Sequence, residues 1–285
     1  MAEKVIKKDF FMNYRSIPIQ YCFSSDFEDY KECIVNYKNI SVLYYQFHAS
    51  SDHTMVVADG CADIQFCCDQ DNVSSTIWGS VLTPQHIKFN AGKTYYGIRL
   101  STSVSRRLSF FHYSELINTG VSLSGLNCFG KELSEKIALA QNFKKRILLT
   151  QQWLTAFGFF EPQKMDFIDH SINKILEDRG NMKISALAEY IGSSERLIRD
   201  KFTNAVGMSP KQYSRIVRFQ SLIELILFDG RHKLLSLNDL ISSSYYDESH
   251  LSKEVKFFAD MTPKQFIKET SNVVIRRNTI ASSLY

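Results

Sequence analysis

The sequence predicts an α+β protein of two domains, a β-rich N-terminal half and an all-α C-terminal half joined by a helical connector. Three observations predict it. Residues 15–101 are dense in short β-branched and aromatic runs broken by turn clusters such as Asp69-Gln70-Asp71-Asn72. From about Thr102 the apolar spacing changes to the helical period. The last third then states one unit twice: Gly207-Met208-Ser209-Pro210-Lys211-Gln212-Tyr213 and Asp260-Met261-Thr262-Pro263-Lys264-Gln265-Phe266, with the prolines 53 residues apart. In each copy a helix-capping residue, Ser194 or Asp247, stands 16 residues before the proline. A unit repeated only twice is too short for a solenoid and argues for a pair of small modules.

In the first half, strands are expected over 17–23, 40–48, 54–58, 64–68, 75–82 and 95–100, a spacing that fits a sandwich or barrel. A weak helical segment follows over 104–111. A long helix is expected over 131–157, with Leu133, Ile137, Ala140, Phe143, Ile147, Trp153 and Phe157 on one face and Lys144, Lys145 and Arg146 on the other. Its apolar stripe is a natural surface for pairing with a second copy. Gly158 and Pro162 end it, and everything from Lys164 onward reads as helix and short turn. The boundaries are therefore 1–130 for the β-rich domain, 131–163 for the connector and 164–285 for the helical domain.

Bulk properties narrow the function classes. At 285 residues, 44% hydrophobic and 22% charged, the chain is ordinary globular material. Residues 1–9 carry charges where a signal peptide needs an apolar run, and no stretch approaches the roughly 20 apolar residues that cross a bilayer, so a cytoplasmic protein with no membrane partner is expected. Sixteen basic side chains face fifteen acidic ones in residues 1–163, and eighteen face fifteen in residues 164–285. That bias is too small to argue nucleic-acid binding by itself, so the placement of charge must carry it. Six cysteines, all in the first half, lack CxxC spacing and read as small buried hydrophobes. Cys67 and Cys68, adjacent on a strand, point to opposite faces and make a shared site awkward.

In the first module Ile184, Leu187, Ala188 and Ile191 share a helix face and Gly192 supplies a tight turn. Ser194 caps a second helix whose inward face is Leu197, Ile198 and Phe202 and whose outward face carries Glu195, Arg196, Arg199, Asp200 and Thr203. Helix, glycine turn, helix is the helix-turn-helix plan, whose second helix lies in the major groove of duplex DNA. Arg matters on that face because its planar fork can donate two hydrogen bonds to guanine O6 and N7. The bland alternative is a solvated pair between Glu195 and Arg199, worth about 0.2–0.5 kcal/mol. In the second module the matching outward positions are Glu248, Ser249, Ser252 and Lys253, where two Arg have become Ser; His250 stands in the place of Leu197 and reads as a packing and capping residue. The segment 211–228 forms a linker helix that would hold the two reading helices at a fixed separation, near one DNA turn of roughly 34 Å.

These residues resemble the AraC/XylS family of bacterial transcription regulators. The resemblance covers about 165–268 and rests on Ile184-x-x-Leu187-Ala188, Gly192-x-Ser194, Ile198-x-x-x-Phe202, Gly207-Met208-Ser209-Pro210, and Asp247-Glu248-Ser249-His250-Leu251-Ser252-Lys253 before Thr262-Pro263. It implies two helix-turn-helix units joined by a linker helix. Departures include Ser244 or Tyr245 and Asp260 where the family has Gly, Val255 where it has Phe, and Lys201 at an apolar position. In the first half, Asp59-Gly60-Cys61-Ala62-Asp63-Ile64-Gln65-Phe66, Gly79, Gly97-Ile98-Arg99-Leu100, Glu115-Leu116 and Val121-x-Leu123 resemble a β-rich domain of some members, which implies a cupin-like barrel that senses a ligand or dimerises.

The expectation is therefore a DNA-binding transcription regulator whose partners are double-stranded promoter DNA, RNA polymerase, a small-molecule effector and a second copy of the chain. Its DNA-binding residues are Ser194, Glu195, Arg196, Arg199, Asp200, Thr203, Glu248, Ser249, Ser252 and Lys253. No catalytic residue, cofactor or metal ligand is assigned. His48, His53 and His86 form no His-x-His pair, and no nucleophile elbow, phosphate loop or dinucleotide fingerprint occurs. The rival readings are a ligand-binding or dimerising scaffold acting through protein contacts and a cupin-type enzyme; a steep salt dependence of DNA affinity separates the first reading from both.

Overall fold

The structure, a computed structural model, describes residues 17–37, 40–71, 73–106, 108, 112–123, 128–161, 164–229, 236–273 and 277–281. The charged N-terminal stretch, Asn72, Pro162 and much of the helical segment expected over 104–111 lie outside them. What is seen of that segment is one turn, Thr102–Ser105.

The strands are β1 (Glu28–Tyr37), β2 (Ile40–His48), β3 (His53–Val56), β4 (Cys61–Cys67), β5 (Ser74–Trp78), β6 (Gln85–Lys88), β7 (Thr94–Ser101), β8 (Gly120–Ser122) and β9 (Arg277–Ala281). Seven of them form one sheet in the order β8-β5-β4-β7-β2-β1-β9, and β3 pairs with β6 in a separate ribbon. All pairings are antiparallel except that of β1 with β9, which brings the C-terminal segment back onto the N-terminal sheet. Among the described strands no pairing joins β8 to β9, so the sheet is open where the resemblance implied a barrel.

Alternation sorts the sheet's side chains onto two faces. Tyr44, Ile64, Phe66, Ile77, Tyr96 and Ile98 face one core, while Ile34, Leu43, Tyr45 and Phe47 face another beneath the β3/β6 ribbon with Val56, Ile87 and Phe89. Cys67 joins the second core and Cys68 packs beside the first, opposite faces as their adjacency requires. Burial raises both thiols, Cys68 to about 12, so they stay protonated and inert.

Residues 17–23, read as a strand, instead run extended and enter helix α1 (Tyr21–Asp26). The Ile19 N–H is met by a glutamine side chain in place of a neighbouring strand, as described below. The helix expected over 131–157 is two: α3 (Cys128–Leu139) and α4 (Phe143–Ala156), following α2 (Thr102–Ser105). Asn142 makes the break by accepting the Lys145 N–H at 2.9 Å as the cap of α4. Arg146, assigned to the solvent side, is 8% exposed; its guanidinium closes the same break by donating to the Ile137 and Ala140 carbonyls at 3.3 and 2.8 Å and also reaches Gln46. Leu133, Ile137 and Ile147 pack in the sheet's first core with Phe143 and Trp153 against it, so most of the stripe expected to pair two copies is covered by the chain's own sheet, while Phe157 at its end is 42% exposed.

Residues 164–229 and 236–273 carry the helices α5 (Phe167–Glu177), α6 (Ile184–Ile191), α7 (Glu195–Val206), α8 (Pro210–Glu224) ending in a π-helical turn Leu225–Asp229, α9 (Leu237–Ser244), α10 (Glu248–Ala259) and α11 (Pro263–Ser271). Their core is shared with the sheet domain: Ile19, Tyr21, Val57, Ala58, Ala62 and Tyr113 join Phe202, Tyr213, Phe219, Phe258 and Phe266 in one apolar cluster.

Candidate nucleic-acid interface

The duplicated sentence folds as a duplicated structure. Ser194 caps α7 by accepting the Leu197 N–H at 3.2 Å, and Asp247 caps α10 by accepting the His250 N–H at 2.7 Å. Ser209 and Thr262 cap the next helices, each with proline in the first turn where no N–H is needed. At the far ends Gly207 and Asp260, again 53 residues apart, both take the left-handed conformation with φ of 75° and 55°. Lys256 steadies Asp260 by donating to its backbone carbonyl at 3.2 Å and pairing with its carboxylate at 2.5 Å; that bond, with the charge of Lys256, holds the carboxyl below its ordinary pKa.

The turns between paired helices differ. Gly192 closes α6 in the left-handed region at φ 70°, where Cβ-bearing residues are strained. Its counterpart Tyr245 is extended at φ −123°, which removes the need for glycine, and its ring packs edge-on against His250 at 5.3 Å. His250 is thus a packing residue as expected.

On α7 the structure leaves Ser194, Glu195, Arg196, Arg199 and Asp200 exposed and Thr203 half-buried, while Ile198, Phe202 and Val206 are buried. Arg196 leans along the helix with its Nε 3.9 Å from Asp200 Oδ2. No ion-pair partner is seen for Arg199 among the described residues. Leu197, expected inside, is 43% exposed. The inward stripe is Ile198, Phe202 and Val206 at i, i+4, i+8, and Leu197 sits about 100° off it. On α10 Glu248, Ser249 and Lys253 are exposed and Ser252 half-buried. Beside them Tyr246 is 91% exposed in the turn ahead of the cap, a feature the sequence reading passed over although its place before Asp247 marked it.

Helix α8 holds the two units through arginines. Arg215 grips Glu254 of α10 with Nε and Nη2 at 3.0 and 2.8 Å from Oε1, and its guanidinium stacks on Phe257 and Phe258. Arg218 donates to the Gly180 carbonyl at 3.0 Å, ahead of the first unit, and lies over the Tyr245 ring of the second. Lys201, the departure on α7, places its ammonium 5.1 Å from the Phe167 ring centroid and so ties α7 to α5.

The helical domain is also fixed to the sheet domain. Arg106 binds Asp166, the cap of α5, at 3.0 and 2.8 Å, and Asp169 at 2.6 Å. Against burial, which would raise it, backbone N–H bonds and Arg106 hold the Asp166 carboxyl below its ordinary pKa. A Cβ on Gly207 would lie 2.7 Å from Ser114 Cα, so the end of α7 abuts the 3-10 turn Tyr113–Leu116.

The histidines considered for a metal lie elsewhere: His53 and His86 face each other across the β3/β6 ribbon at 6.1 Å, and His48 meets Thr94. Among the described residues no group of three or more His, Cys, Asp or Glu is placed to hold a metal ion, and no helix is long and apolar enough to cross a membrane.

No protein-family model matches the chain, and no curated protein matches it. Among solved structures it is similar in shape to ToxT of Vibrio cholerae, a regulator of the AraC/XylS family. An apo variant of ToxT shares 12% identity at a TM-score of 0.46, covering 82% of this chain and 100% of that one. A second ToxT structure shares 11% at 0.43, covering 80% and 97%, and a ToxT complex with a methylnaphthalenyl butenoic acid shares 11% at 0.42, covering 85% and 99%.

Proposed function

We propose that the chain is a transcription regulator of the AraC/XylS type that binds double-stranded promoter DNA through α7 and α10. One observation carries the reading: two capped helix-turn-helix units, in step over 53 residues, pack on a single helix, whose Arg215 and Arg218 grip the second unit and the Gly180 turn just ahead of the first, while their outward faces stay open to solvent. Rigid separation of two reading helices serves a ligand with a fixed repeat, and the exposed Arg196 and Arg199 have the donor geometry for guanine.

Ser194, Glu195, Arg196, Arg199, Asp200 and Thr203 form the base-reading edge in this proposal. Glu248, Ser249, Ser252 and Lys253 supply backbone contact and register, with the N-terminus of α10 near phosphate. The sheet domain acts as the sensing or dimerising part, taking a small effector or a second copy, and RNA polymerase is the downstream partner in the cytoplasm. Because most of the α3/α4 stripe is used internally, a second copy would dock chiefly elsewhere. Selection from a random duplex library tests the reading. One enriched sequence, lost with Arg199→Ala, is the expected result; a library unchanged after several rounds contradicts it.

A further inference from the structure

A chain of buried side-chain bonds runs from the interior of the sheet domain to the linker helix. Gln220, on α8 and 6% exposed, accepts the Ile19 N–H at 2.8 Å and donates to the Ala58 carbonyl at 2.6 Å. One residue after Ile19 and facing the residue before Ala58, Gln20 accepts the Val57 N–H at 3.0 Å and donates both to the Val57 carbonyl at 2.5 Å and to Asp59 Oδ2 at 3.0 Å. Two glutamines thus bridge the same pair of segments, one from the linker helix and one from within. The Ala58 N–H reaches the Phe258 carbonyl of α10 at 3.4 Å.

Asp59 sits at the junction. Its Oδ1 accepts the N–H groups of Cys61 and Val81 at 3.1 and 3.3 Å, and its Oδ2 lies 3.8 Å from an Arg99 nitrogen. Arg99 is already engaged by Asp63 at 2.7 Å, so two buried carboxylates share one buried guanidinium. Asp59 lines two cavities: one of about 20 Å³ inside the sheet domain with Tyr45, Gln65, Trp78 and Arg99, and one of about 30 Å³ against the linker helix with Tyr213, Val217 and Gln220. Each holds about one water, too little for an organic effector in this arrangement. The second cavity is roofed by α8, so lifting that helix would open Asp59 to solvent.

We propose that Asp59 is a proton-coupled latch between the sheet domain and the linker helix: docking of α8 over residues 57–60 seals the carboxyl from water, so docking takes up a proton from solvent and mild acid favours the docked arrangement. The groups facing Asp59 are Arg99 and Asp63 from the sheet, Cys61 beside it, Tyr113 from the 3-10 turn, Arg179 from the end of α5, and Tyr213 and Glu224 from α8. No histidine lines either cavity among the described residues.

The sign follows from linkage. Burial, the largest influence, pushes the Asp59 carboxyl up to about 6 when docked, outweighing the pull of Arg99, while solvent exposure returns it toward 3.8. The docked state therefore binds the proton more tightly, and its advantage is lost as pH rises through about 6. Between pH 5 and pH 8 the docking equilibrium should weaken about tenfold.

Hydrogen exchange of the Ile19 and Ala58 amides in the full chain reads docking directly, because both donate to helical-domain acceptors, and it does not depend on any DNA ligand. After correction for intrinsic rates, their protection should fall about tenfold from pH 5 to pH 8 in the wild type and stay flat in Asp59→Asn. Flat protection in the wild type, or the same fall in Asp59→Asn, overturns the proposal. If Asp59→Asn does not fold, the Asp59 carboxyl titration followed by carbon NMR decides instead. Its midpoint should move from about 6 in the wild type toward 3.8 in Gln220→Ala, whose linker helix has lost both ties; an unmoved midpoint sinks the latch.

Discussion

Arg215 of the linker helix and Glu254 of α10 are paired through two guanidinium nitrogens on one carboxylate oxygen, with Glu254 6% exposed. The pair fastens α10 to the linker helix α8. Removing one partner of a buried pair strands the other charge, at a cost of about 3–5 kcal/mol when burial is complete. Since Arg215 keeps contact with solvent, Glu254→Ala should cost nearer 1–3 kcal/mol, about that of a truncated hydrogen-bonded pair. Urea unfolding should show a lower midpoint with an unchanged slope; a variant as stable as wild type would show that the pair fixes nothing.

The two left-handed helix ends predict opposite responses. Gly207→Ala places a Cβ at φ 75° and 2.7 Å from Ser114 Cα, so it should destabilise the fold by about 1–2 kcal/mol from backbone strain alone. Asp260→Gly relieves the same strain at an exposed site and should stabilise by up to about 1 kcal/mol, less the small loss of the exposed Lys256 pair. Thermal unfolding of both variants checks the signs, and a destabilising Asp260→Gly would refute the strain assigned to that cap.

On the reading face Arg199 should matter more than Arg196. Arg196 is already drawn toward Asp200, whereas Arg199 stands clear. Arg199→Ala should cost about 1–3 kcal/mol at the selected DNA site if its fork binds guanine, with little change in unfolding. Fluorescence anisotropy on that site measures it. Wild-type affinity in both alanine variants would remove the base-reading role from α7.

The two halves of the site should also differ. With Ser249 and Ser252 where the first unit has Arg196 and Arg199, base substitutions under α10 should each be tolerated to within about 1 kcal/mol, while those under α7 cost about 1–3. Scanning single substitutions through the operator tests this, and equal sensitivity in both halves is the contrary outcome.

The helical half was largely legible because its signals are local. Ser194 and Asp247 are caps in the structure as in the sequence, and Gly192 turns where a glycine was needed. Errors arose where a distant partner decides. Leu197 was placed inward on local spacing, but only the exact i, i+4 stripe from Ile198 meets the core. Arg146 looked like a surface cation until the break at Ala140 offered it two carbonyls. Strand β1 went unread because Glu28, Asp29, Lys31 and Glu32 hide its alternation, and residues 17–23 were read as a strand because nothing local announces that Gln20 and Gln220 will satisfy the surrounding backbone. For the proposed interface, spacing indicated which residues lie on the outward faces; the arginine clamps on α8 were visible only once the fold brought Glu254 and Gly180 to it.

The central claim, that this chain binds duplex DNA through two basic-edged helices and their phosphate-facing N-termini, is tested most directly by affinity for the selected duplex as a function of salt. Each neutralised phosphate releases condensed counterions, so log K should fall linearly with log salt at a slope of about −0.9 per contact, and several contacts from two helices should give a slope of roughly −4 or steeper. Lys253→Ala should make that slope shallower by about 1 without altering which sequence is preferred. A slope near zero, with the same affinity for duplex at low and high salt or no measurable affinity at either, would contradict the account.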